Sequence, residues 1–153
     1  MKKLFYLLSL GIISGMILMA SCGDGGDGDL TPLQKQAQLL SGTWIQQTTS
    51  QLPDGVNPSI LDALTLTFNT DSDFNPGSFS SSGAPDFFST SGTSGWAFSG
   101  SSTTSLILSD VTPVSDLTIV SLSSNALTVR FTLSTGGLRV ASLEGEYTVE
   151  LTK

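Results

Sequence analysis

At 153 residues the chain has room for one domain with a core of its own. Thirteen acidic residues against six basic ones, a net charge of −7, argue against nucleic acid as a partner, because no basic patch exists to release counterions. Histidine is absent, which removes the commonest general base and metal ligand. One cysteine allows no internal disulfide, and no Gly-x-Ser-x-Gly elbow or cofactor motif occurs. The expectation is therefore a non-enzymatic protein with no cofactor and no resident metal.

The chain opens with Lys2 and Lys3, then an apolar run from Leu4 to Met19, then small residues Ala20 and Ser21 before Cys22. That order is the grammar of a secretory signal. A spanning helix needs about 20 apolar residues, more than this run supplies. The ending resembles the lipobox of bacterial lipoproteins, with Met19 standing where that family usually has Leu. The resemblance implies that residues 1–21 are a signal peptide and that Cys22 is the lipid-attachment residue, which would also account for an unpaired cysteine in an exported protein. Gly23 does not resemble an inner-membrane retention signal, so the implied address is the outer membrane, facing the periplasm or the cell surface. Asp24, Asp27 and Asp29 alternate with glycines through residues 22–30. They resemble surface-export signals of some outer-membrane lipoproteins, and they equally suit a flexible, solvated tether.

Residues 31–153 read as one domain. Thr31-Pro32 predicts a helix start, since Thr caps free amides and Pro at the first position costs no hydrogen bond. Leu33, Ala37 and Leu40 give one apolar stripe, and Gly42 ends the helix. From Thr43 the period is two. Leu64, Leu66 and Phe68 alternate with Thr65 and Thr67. Trp96 and Phe98 share a face, as do Leu106 and Leu108, and Leu117 and Ile119. Leu127, Val129, Phe131 and Leu133 alternate with Thr128, Arg130 and Thr132, and Tyr147, Val149 and Leu151 with Glu146, Thr148 and Glu150. With Phe74 to Ser80 as the weakest member this makes about eight strands, each with one face in water. The predicted fold is all-β, an antiparallel up-and-down barrel preceded by one short helix, with a β-sandwich as the alternative.

Leu39-Leu40-Ser41-Gly42-Thr43-Trp44 resembles the lipocalin opening, in which a short helix leads into Gly-x-Trp on the first strand. The strand patterns that follow resemble the small lipocalin-like domains of bacterial lipoproteins. The resemblance implies a lipocalin-like barrel with Trp44 at its closed base. It also implies a late Arg packed on that indole, for which Arg130 and Arg139 are the only candidates.

Asp71, Asp73 and Asn75 alternate as in a calcium loop, but Pro76 stands where a Gly is required and Ser82 where a bidentate Glu belongs, so a hairpin turn is the expected use. Glu144 and Glu146 share a polar strand face and read as solvated surface. Phe87-Phe88, in a Ser/Gly-rich stretch, suits either an aromatic lid or an irregular strand that buries one ring. Odd-numbered strand connections are expected near Ser50–Leu61, Ser81–Thr93, Asp110–Ser115 and Ser134–Ser142, and they gather at one end of an up-and-down barrel. That end is the predicted mouth, rimmed by Pro53, Val56, Pro58, Phe87, Phe88, Val111 and Pro113. The expected function is a membrane-anchored lipoprotein binding a small apolar ligand there. The alternative is a surface adhesion or protein-interaction module.

Overall fold

The computed structural model describes residues 29–134 and 143–153. Cys22, most of the tether and Arg139 lie outside the described residues. Helix α1 spans Pro32–Leu40. Thr31 Oγ1 accepts the Gln34 amide N–H and Gln34 Oε1 accepts that of Thr31, a reciprocal capping box that fixes the start. Ala37 and Leu40 are fully buried, so the apolar stripe faces the barrel.

Among the described residues, eight strands follow: β1 Gly42–Gln51, β2 Thr65–Thr70, β3 Pro76–Ser82, β4 Phe88–Phe98, β5 Ser105–Pro113, β6 Asp116–Leu122, β7 Ala126–Leu133 and β8 Gly145–Thr152. Each pairs antiparallel with the next, and β1 also pairs with β8, so the sheet closes into an up-and-down barrel and the sandwich alternative falls. Alternation decides which face is inside. In β7, Leu127, Val129, Phe131 and Leu133 are all buried, while Arg130 and Thr132 point outward. Arg130 Nε sits 3.9 Å from Glu146 Oε2 on that outer surface, a pair worth little in water.

Three boundaries differ from the sequence expectation. β3 begins at Pro76 rather than Phe74. β4 and β5 extend into stretches expected to be connections. A bulge is the cause: Thr90 pairs with Val111 and Gly95 with Ser109, so residues 91–94 face Asp110 alone. Asp110 takes the left-handed conformation (φ 56°), and Ser94 Oγ donates to its carbonyl at 3.0 Å. Two extra-long strands with an excursion between them thus replace two long loops.

Candidate functional site

Among the described residues, the first three odd connections meet at one end. The Val114 N–H donates to the Phe87 carbonyl at 3.1 Å, joining the β5–β6 and β3–β4 connections. A Cβ on Gly83 (φ +82°) would lie 1.8 Å from the Ala63 carbonyl oxygen, so the β3–β4 turn presses against the chain leading into β2. Gly145 at the start of β8 lies against Pro53 in the same way, its Cβ position being 2.5 Å from the proline ring. The fourth odd connection falls largely outside the described residues.

Among the described residues, most of the expected rim is buried rather than facing solvent. Val56, Phe87, Phe88 and Val111 are buried, Pro53 and Pro113 are half-buried, and of the expected rim residues only Pro58 is exposed. The correction has a physical reason. Val111 lies on β5 and not in a loop, and the Asp110 kink turns the strand so that Val111 and Val114 both enter the core. Phe87 and Phe88 are drawn in together: Phe87 meets Tyr147 edge-on at 5.0 Å between ring centroids, and Phe88 meets Phe131 at 5.1 Å. Both rings of the pair are inside, where the irregular-strand alternative expects one.

Those contacts belong to a continuous aromatic column. From the helix end it runs Phe98–Trp96–Phe68–Phe79–Phe88–Phe131–Tyr147–Phe87, with ring centroids 5.0 to 6.5 Å apart. Edge-on geometry predominates, the arrangement that aromatic quadrupoles favour. The column's polar atoms are satisfied: Trp96 Nε1 donates to the Asn69 carbonyl at 2.8 Å, and the Tyr147 hydroxyl donates to the Leu143 carbonyl. Burial pushes the Tyr147 phenol above its ordinary value. Among the described residues, every buried side-chain nitrogen and oxygen has a partner.

The opposite end is closed by α1. Trp44 is fully buried, and its Nε1 donates to the Leu40 carbonyl at 2.7 Å, which ties the first strand to the last turn of the helix. Among the described residues, the cation over this indole is not an arginine. Arg130 points outward, Arg139 lies outside the described residues, and Lys153 Nζ sits 4.4 Å from the ring centroid instead. The same ammonium donates to the Leu39 carbonyl at 2.8 Å, satisfying a helix C-terminal acceptor. Partial burial lowers the Lys153 pKa.

Asp71 shapes the β2–β3 turn at this end. Its carboxylate accepts the backbone N–H groups of Asp73 and Asn75 and the Asn75 side-chain amide, at 2.8 to 2.9 Å. These bonds hold the carboxyl below its ordinary value, the Asn75 side chain contributing most. The carboxylate is thus spent on the turn. Among the described residues, no group of three or more His, Cys, Asp or Glu is placed to hold a metal ion.

Among the described residues, two hollows stand out on the outside of the wall. One, about 530 Å³, is lined mainly by Asp116, Thr118, Arg130, Thr132 and Glu146 across β6, β7 and β8. It is polar, with two acids against one base. The other, about 400 Å³, lies between α1 and the β2–β3 and β4–β5 turns, and its lining includes Leu33, Phe74, Pro76, Ala97 and Phe98. Sequence reasoning missed it because its walls come from three elements far apart in the chain.

No protein-family model matches the chain, and no curated protein or solved structure matches it either. What the geometry defines is the class: a closed, eight-stranded antiparallel barrel capped by a short N-terminal helix. Among the described residues, no helix is long and apolar enough to cross a membrane.

Proposed function

We propose that the protein is an exported lipoprotein, acylated at Cys22 and held at the outer membrane, whose barrel is a non-enzymatic interaction module working through its outer surface. The signal-like start and the lone cysteine support the address. The observation that carries the choice of module over carrier is the aromatic column, whose rings from Trp96 to Phe87 are all buried in the core. An eight-stranded barrel either fills its interior with side chains or holds one small ligand there. The fold is compatible with a lipocalin-like carrier of a small apolar ligand. Such a ligand, seated at the mouth, would have to displace Phe87, Phe88 or Val111, which are at most 3% exposed.

Metabolic labelling with a palmitate analogue, followed by membrane fractionation, tests the address. Wild type is expected to carry label and sediment with outer membranes, and Cys22→Ala to lose both. Equal labelling of the two forms would remove the anchor from the reading.

A further inference from the structure

The helix end of the barrel carries a mainly apolar hollow on its outside, where Phe74 and Phe98 pack against the core on one side and remain partly open on the other. Leu33 on α1, Phe74 in the β2–β3 turn and Phe98 at the end of β4 are half-buried, and Pro76 and Ala97 beside them are exposed. Phe74 has φ 58°, a left-handed conformation that is an outlier for a bulky side chain. Strained residues of this kind persist where the surroundings hold them, and they cluster at functional surfaces. Gln34 Nε2 donates to the Asp73 carbonyl at 2.9 Å, pinning the turn that presents Phe74 to the helix.

The position of the hollow selects its occupant. Thr31 lines it, so the chain leaves toward Cys22 from the hollow itself. Only Gly23 to Leu30 intervene, and eight residues reach at most about 30 Å when fully extended. The tether enters the barrel at this end, so an anchor at Cys22 holds this end closer to its point of attachment than the other. Exposed Asp71 and Asp73 beside the hollow fit a zwitterionic surface better than an anionic one.

We propose that this hollow is a lipid-contact surface: Leu33, Phe74, Pro76 and Phe98 seat the barrel on the bilayer that holds its anchor. The inference rests on the lipid-anchor reading. Seating fixes the orientation of the domain and turns the interlocked odd connections away from the membrane. It converts a tethered, tumbling domain into one presented in a single pose.

The test uses mature, lipidated protein in phosphatidylcholine vesicles. A nitroxide is placed at Ala97→Cys, beside the hollow, or at Asp54→Cys, in the β1–β2 connection at the far end. Collision rates with oxygen and with a water-soluble nickel complex report depth. At position 97 oxygen is expected to dominate and at position 54 the nickel complex. Phe74→Asn, which tolerates the left-handed backbone, is expected to return position 97 to water. Equal nickel access at both positions in protein that floats with the vesicles would overturn the seating while leaving the anchor intact, and so would an unchanged depth at 97 in Phe74→Asn. Failure to float would overturn the anchor, and the seating with it.

Discussion

Trp44 shows how one residue ties three parts of the molecule together. Its ring is buried, its N–H is spent on Leu40 at the end of α1, and its face is covered by Lys153 from beyond β8. Trp44→Ala is expected to cost about 3 to 5 kcal/mol, as for other buried large aromatics. A denaturant midpoint unchanged by the substitution would place the residue outside the core. Lys153→Met keeps the stem and deletes the charge, so it should lose about 0.5 to 1 kcal/mol, the range for an exposed cation over a ring, and Lys153→Arg less. The Gly-Thr-Trp stretch was legible in the sequence. Its cation was not, because an arginine was sought and a lysine near the end of β8 serves.

At Asp71 the chemistry has a pH signature. The folded carboxyl titrates below the ordinary value of 3.8, because Asn75 and the turn amides favour the ionised form. A depressed folded value means that the stabilisation is present above pH 3.8 and is lost as pH falls through the folded value. Asp71→Asn is expected to remove that acid-side dependence. Denaturation midpoints of both proteins between neutral pH and pH 2 check it; parallel acid limbs would show that the turn does not depend on the charge. The turn reading of Asp71–Asn75 came from residue type alone, since Asp and Asn supply local acceptors wherever the chain reverses.

At the scale of elements, strict alternation made β2, β6, β7 and β8 legible, and capping chemistry located α1. The stretch from Ser78 to Gly95 resisted because Ser and Gly carry no hydrophobic period, so only the end of β4, at Trp96 and Phe98, leaves a signal and its bulge leaves none. The bulge matters, since it turns β5 inward and takes Val111 out of the rim. Gly83 is the tightest point of the interlocked end. Any side chain there meets the Ala63 carbonyl and must also hold φ +82°. Gly83→Ala is expected to destabilise the fold by more than 1 kcal/mol, through strain at a special backbone conformation. Gly92→Ala shares a positive φ but meets open space, so the difference between the two thermal midpoints isolates the close approach. Equal midpoints would mean that the β3–β4 turn is not pressed onto the chain before β2.

For the whole molecule, closure followed from strand count and connection order, and among the described residues the first three odd connections lie at one end as parity requires. Whether that end is open could not be read from the sequence. An apolar residue in a loop has the same letter whether it lines a mouth or plugs it, and only the third dimension joins Phe87 to Tyr147 and Phe88 to Phe131. The aromatic column is therefore the feature on which the functional reading turns. The most direct measurement is a titration of the mature protein with an apolar fluorophore that brightens on leaving water, run beside Phe87→Ala. A filled barrel predicts no saturable signal in the wild type. It predicts saturable binding in the variant, where removal of the ring leaves an apolar cavity of the kind that stays dry and takes up small apolar molecules. Saturable binding in the wild type, lost when Phe88 or Val111 is made larger, would contradict the filled interior and restore the barrel as a carrier.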